Sequence, residues 1–92
     1  MVYAVYILYS QKDKRLYVGC TSNLKERLRR HQAGQVQATK LRRPLVLIRE
    51  ESSENKTDAF KRERFLKSLW GSREKKKILK RYLDGLNPRA NL

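Results

Sequence analysis

Cysteine occurs once, as Cys20, so the chain can close no disulfide within itself and can build no cysteine-rich zinc site. That scarcity suits a reducing compartment and makes the cytoplasm the expected location. No repeat, low-complexity segment or linker interrupts the sequence. Long apolar runs are also missing: the longest, Val2 to Tyr9, is far shorter than the ~20 residues that span a bilayer. It has no basic segment before it and no small-residue cleavage site after it, so neither a membrane span nor a signal peptide is expected. Acidic residues are few, 9 against 23 Lys and Arg, which leaves a net charge of +14. An excess this large, spread along the whole chain, steers the protein toward a polyanion. Nucleic acid fits best. A membrane surface fits less well, because the basic residues do not segregate onto one face of an amphipathic helix. Charge alone does not say whether the nucleic acid is cut.

What is present is a compact set of periodic apolar residues. At 92 residues the chain suffices for one small domain, which hides only about 60% of its unfolded surface. Candidate core residues are Val2, Val5, Ile7, Leu8, Leu16, Val18, Leu24, Leu28, Leu45 to Ile48, Phe60, Leu66, Leu69, Trp70, Ile78, Leu79 and Leu83. Val2 to Ser10 is rich in β-branched and aromatic residues and reads as a strand. Gln11 to Lys14 is turn-like, and Arg15 to Cys20 returns as a second strand, forming an antiparallel hairpin. Asn23, with Glu26 three residues on, has the pattern of a capping box for a helix reaching Gln32, which Gly34 ends. A polar, basic connection, Gln35 to Arg43, leads to Pro44 and a third strand, Leu45 to Glu50. After a loop over Glu51 to Lys56, Thr57 or Asp58 caps a second helix running to about Trp70. Gly71 stops it, Ser72 starts a third, and Gly85 and Pro88 end that one. The order β-β-α-β-α-α predicts an α+β domain over residues 1–84, a small three-stranded antiparallel sheet flanked by helices, with a loose tail at 85–92.

Two helices carry polar residues where apolar ones belong. Leu24, Arg27, Leu28 and His31 share one stripe of the first helix, which should face the core. Lys25, Arg29 and Arg30 lie off it. In the second helix Ala59, Glu63, Leu66 and Trp70 share a face, which sets Glu63 among apolar neighbours. A carboxylate there needs a partner, a metal or a proton. An inward ion pair of Glu63 with Arg27 or Lys67 satisfies that need without any function. Tyr6 and Tyr17 lie on adjacent strands and can meet across the hairpin, while alternation puts Tyr3 and Tyr9 on the opposite face from Tyr6.

Ala4-Val5-Tyr6 followed by Tyr17-Val18-Gly19 resembles the paired tripeptides that name the GIY-YIG endonucleases. Thr21 to His31 is similar to that family's helix with its Arg, and Ala59 through Glu63 to Lys67 to its later helix with a metal-binding Glu. The resemblance runs from Val2 to about Leu83. It is strongest toward the small stand-alone bacterial members, which are themselves similar to the N-terminal nuclease domain of the bacterial excinuclease. There are departures: Ala4 replaces the first Gly, Cys20 stands where several members carry Thr, Ser or Lys, and no C-terminal Asn has a clear counterpart.

The resemblance implies a GIY-YIG nuclease fold and a metal-dependent endonuclease acting on duplex, nicked or branched DNA, as in repair or recombination; so short a chain has no inserted recognition module, so structural preference or low specificity is expected. The alternative is a module that kept the fold and binds nucleic acid without cutting it. Tyr6, Tyr17, Arg27 and His31 match the catalytic positions, and Glu63 the ligand of Mg²⁺ or Mn²⁺. A lone Glu suffices for Mg²⁺, which keeps several waters. Arg27 would bond the phosphoryl oxygens. Tyr17 is the preferred general base and His31 its competitor; Tyr6 would orient water or phosphate. Gly19 would leave room for phosphate to approach. Lys25, Arg30, Lys40, Arg42, Arg43 and Lys67 are the candidate phosphate contacts, with Lys75 to Lys77 as further ones.

Overall fold

The computed structural model describes residues 2–86. Three strands, β1 (Tyr3–Ser10), β2 (Leu16–Thr21) and β3 (Leu45–Ser53), form one antiparallel sheet in the order β2-β1-β3. Three helices flank it: α1 (Leu24–Gln32), α2 (Lys56–Lys67) and α3 (Ser72–Gly85). Short 3-10 turns occupy Lys40–Arg42 and Leu69–Gly71. The predicted order β-β-α-β-α-α and the α+β class are those observed.

The central strand explains the layering. Ala4 to Ser10 is buried at every position, so both faces of β1 must be covered. Alternation sends Val5 and Ile7 to one face, where they pack with Val18, Ala59, Leu66 and Ile78 beneath α2 and α3. It sends Tyr6 and Leu8 to the other, with Leu45 and the half-buried Tyr17, Leu24, Leu28 and Leu47 beneath α1. Each fully buried aliphatic side chain contributes about 1.5–3 kcal/mol. Tyr3 packs on the α2 side, and Tyr9 meets the Tyr82 ring of α3, both opposite Tyr6 as alternation requires.

Local chemistry sets the boundaries. In the hairpin turn, the Ser10 N–H donates to Arg15 O at 2.9 Å, and Asp13 Oδ1 accepts from the Arg15 N–H at 2.9 Å. Lys14 takes the left-handed conformation (φ +64°) that closes this turn. Asn23 caps α1 by accepting from the Glu26 N–H at 3.2 Å. The Glu26 carboxylate pairs with Arg29 instead of returning to Asn23, so only half of the expected capping box forms. β3 runs three residues past its expected end, to Ser53. The α2 cap is consequently Asn55, not Thr57 or Asp58: its side chain accepts from both of their N–H groups.

The end of α2 departs most from expectation. The helix stops at Lys67, because Ser68 is extended and its hydroxyl donates to Phe65 O at 2.6 Å. Trp70 therefore leaves the Ala59–Leu66 stripe and stands 85% exposed, with Leu69 beside it at 90%. Val2, Phe60 and Leu83, also expected in the core, are exposed as well. Gly71 makes the reversal possible. A Cβ there would collide with Phe65 O and the Leu66 Cα, so only glycine lets the chain double back this closely. The expected tail at 85–92 begins with the last residue of α3 and its cap, Leu86; Pro88 and the rest lie outside the described residues.

Candidate active site

The strand register sets Tyr6 of β1 opposite Gly19 of β2. The Tyr6 phenol lies across the space a side chain at 19 would fill: a Cβ there would fall inside the Tyr6 ring and hydroxyl. This corrects the expectation that Gly19 leaves room for phosphate. The room it leaves is taken by Tyr6, which the absent side chain allows to lie flat along the sheet.

Tyr6 is 1% exposed, and its hydroxyl meets His31 Nε2 at 2.9 Å. His31 is fully buried, and its Nδ1 meets Thr39 Oγ1 at 2.7 Å. Both ring nitrogens are thus occupied. Burial, and then the Arg27 guanidinium, push the imidazole pKa below its ordinary 6.5, so His31 is neutral at pH 7. A neutral imidazole carries one N–H, so the Tyr6–His31–Thr39 chain runs with one polarity: one nitrogen donates and the other accepts. Burial is also the main cause that raises the Tyr6 pKa far above its ordinary value, with Tyr17 and Glu63 adding to it and Arg27 opposing. Tyr6 therefore keeps its proton.

Tyr17 is half-buried and sits on the same face. Its ring centroid lies 6.3 Å from that of Tyr6 and 5.2 Å from that of His31. Of the two phenols it is the one open to water. Arg27 projects from the same stripe of α1 as His31, also half-buried, and has no carboxylate partner among the described residues.

Glu63 arrives from α2, across the sheet. Its nearest charged partner is Lys67, with Nζ 3.3 Å from Oε2, and its side chain keeps 19% exposure. A helical i,i+4 pair with a largely exposed lysine is worth only about 0.3–0.5 kcal/mol. The Cys20 thiol of β2 is pushed up chiefly by burial and next by the Glu63 carboxylate, with Lys67 opposing, which puts Glu63 beside the outer strand. The Arg27 and Glu63 charges both reach the Tyr6 phenol, the first opposing and the second adding to the rise that burial causes. Of the two ion pairs expected as the non-functional alternative, the one between Glu63 and Lys67 forms, and none with Arg27 is seen among the described residues.

No cluster of three or more His, Cys, Asp or Glu able to hold a metal exists among the described residues. That donor set does not suit a fully caged ion such as structural zinc. A single accessible carboxylate, weakly held by lysine, does suit Mg²⁺, which binds through one or two carboxylates and keeps the remainder of its shell for water and phosphate oxygens.

The candidate phosphate contacts fall into two groups. Lys25, Arg30 and Lys40 are exposed without carboxylate partners among the described residues, and Lys67 is half-exposed beside Glu63. Arg42 and Arg43 are committed to the fold. Arg42 Nε donates to Asp13 Oδ2 at 2.6 Å and its Nη2 to Leu16 O at 3.3 Å. Arg43 donates to Lys40 O and Gln32 O, lying against Gly34. Sequence reasoning missed Thr39. The signal was faint: one small hydroxyl residue in a basic connection, eight positions after the histidine it holds. It also missed Arg62, which binds Glu51 of β3 and Glu74 of α3 and locks the side of α2 that faces away from Glu63's edge.

Comparison with known proteins identifies the family and the fold. A family model described as the GIY-YIG catalytic domain matches residues 2–77. A UPF0213 protein of Staphylococcus haemolyticus is 41% identical over 66 residues, 71% of this chain and 78% of that protein. A UPF0213 protein of Limosilactobacillus reuteri is 36% identical over 92 residues, covering 97% of this chain and 95% of its own. The solution NMR structure of a UPF0213 protein from Bacillus halodurans superposes with a TM-score of 0.54 at 28% identity, over 99% of this chain and 94% of that one.

Proposed function

Because the chain belongs to the GIY-YIG catalytic-domain family, a nuclease superfamily, we propose that it is a metal-dependent endonuclease that hydrolyses DNA phosphodiester bonds with structural preference or low sequence specificity. The observation that carries this reading is a half-buried Arg27 guanidinium with no carboxylate partner among the described residues, on the α1 stripe that holds His31 against Tyr6, together with a partly exposed Glu63 whose charged partner is the half-exposed Lys67.

Each group then has a task. Arg27 presents a planar fork to the non-bridging oxygens of the scissile phosphate, and no carboxylate among the described residues pairs with it. Tyr17, the phenol open to water, would act in its phenolate form, its own proton having passed to solvent: it accepts the proton of the attacking water as the water oxygen bonds to phosphorus and the bond from phosphorus to the leaving alkoxide breaks. Tyr6 keeps its own proton and fixes the wall against which Tyr17 and the phosphate lie. His31 is a positioning residue: with both nitrogens bonded inside the protein, it holds Tyr6 and does not reach water. Glu63 would hold Mg²⁺ or Mn²⁺, which when bound supplies charge stabilisation at the phosphoryl oxygens and the departing alkoxide. Lys25, Arg30, Lys40 and Lys67 add affinity that is blind to sequence and falls with salt.

The test is cleavage of nicked and branched duplexes with Mg²⁺ or Mn²⁺ by the native protein and by Glu63→Ala. The native protein should cut and lose all activity with a chelator. The variant should lose at least ~100-fold in rate while binding DNA within a few-fold of native. A native protein that binds these substrates but never cuts them, with either metal, would leave only a binding module.

A further inference from the structure

Away from the catalytic edge, on the side of α2 that Arg62 ties to β3 and α3, lies a groove of about 380 Å³. Arg49, Trp70, Arg73, Lys77, Ile78 and Arg81 line it. Its one acidic neighbour, Glu74, is already neutralised by Arg62, and Arg49 is paired with Glu51. Arg73, Lys77 and Arg81 have no carboxylate partner among the described residues. Trp70, at 85% exposure, is a large apolar ring held in water at the mouth of this cationic groove. Nothing in the proposed hydrolysis uses it.

We propose that this groove binds an unpaired, single-stranded segment of the nucleic acid, with a base stacked on Trp70 and its phosphates on Arg73, Lys77 and Arg81. Three unpaired cations demand an anionic occupant. A second copy of this chain docked through the same face would bring those cations onto one another, since a two-fold contact opposes like patches. The aromatic ring adds the rest: an exposed indole offers a stacking platform to any base, and in a duplex both faces of each base are already taken by neighbours. The groove therefore selects unpaired nucleotides. The inference rests on the nucleic-acid reading above and narrows it, from branched DNA in general to junctions that carry a single-stranded arm.

Trp70 is the sole tryptophan of the chain, so its emission reports on the groove alone. The experiment is a titration of the full protein, with chelator so that nothing is cut, using an oligothymidylate of about 12 nucleotides and a blunt duplex of equal length. Indole quenching is expected with the single strand and not with the duplex. By anisotropy of the labelled strand, Trp70→Ala should weaken binding about 5- to 100-fold. A double change, Arg73→Gln with Lys77→Gln, should lower the slope of log affinity against log salt by about 1.4, from ~0.7 per phosphate. Binding of the strand with no quenching, an unaltered Trp70→Ala affinity, or Trp70-dependent self-association in its place would overturn the proposal. Cleavage is read separately. A protein that never cuts but shows the quenching fails the hydrolytic reading alone; one that cuts normally but shows no quenching fails only this inference.

Discussion

Arg27 on α1 and Arg62 on α2 both lean from a helix toward the same sheet, and their surroundings could hardly differ more. Arg62 is held between Glu51 and Glu74, and both carboxylates are driven below their ordinary pKa, first by its hydrogen bonds. Arg27 has no carboxylate partner among the described residues, and its charge is felt by the Tyr6 phenol and the His31 imidazole. One arginine completes the fold. The other is a half-buried cation with no carboxylate partner among the described residues, which under the proposed function is the group that receives the phosphate.

The strongest way to break this contrast is to exchange the consequences of losing each. Arg27→Ala should cost cleavage ~100- to 1,000-fold, with Tm within a few degrees of native. Arg62→Met should leave the cleavage rate within a few-fold. It should cost about 1–2 kcal/mol of stability, or a Tm fall of ~5–10 °C, discounted because the paired side chains are 25% to 37% exposed. If thermal melts and rates show the reverse pattern, the assignment of the two arginines is wrong.

Next in size is the division between the phenols. Tyr17→Phe should lower the single-turnover rate by ~100-fold or more through loss of the base, with little effect on stability. Tyr6→Phe removes a partner from buried His31 and should show about 1–3 kcal/mol of destabilisation as well. Equal, modest rate losses in both would return the base role to another group.

Gly19→Ala comes third. Its methyl must displace the Tyr6 ring, so a rate loss of ~10- to 100-fold is expected, with about 1–3 kcal/mol from overpacking. A native rate would show that the position of Tyr6 is immaterial.

The smallest expected effect is a pH slope. The folded pKa of His31 lies below 6.5, so the unfolded chain binds the proton more readily. The stability this burial confers is complete above pH 6.5 and is lost as pH falls below it toward the folded value. Urea melts between pH 7 and about 5 should show the decline in the native protein and a flatter profile in His31→Gln. The Asp13 carboxyl, lowered to about 2 chiefly by its hydrogen bond from Arg42, acts by the same sign in a more acid window: its contribution stands above the ordinary carboxylate range and goes as pH falls toward 2.

Much of this was legible in the sequence. Period-two alternation in Val2 to Ser10 placed Tyr6 opposite Tyr3 and Tyr9, and a 3.6-residue stripe brought Arg27 and His31 inward. Asn23 marked the start of α1. What stayed illegible depended on contacts between distant segments. A helical wheel carries Trp70 onto the Glu63 face, because it cannot register that Ser68 turns extended and Gly71 folds the chain back. Arg62, one residue before Glu63, reads as a surface charge until β3 and α3 supply its two acids. Gly19 has the same appearance whether its missing side chain admits a ligand or a tyrosine.

The buried hydroxyl of Thr39 bears on more than the tautomer of an imidazole. It anchors the middle of the segment between α1 and β3, while Arg42 ties the segment's far end to the hairpin. A rim fastened at two places has little conformational freedom left to surrender when a polyanion settles on it, so association carries a small ordering cost. Its amides should exchange with solvent deuterium slowly, and at nearly the same pace with and without bound DNA.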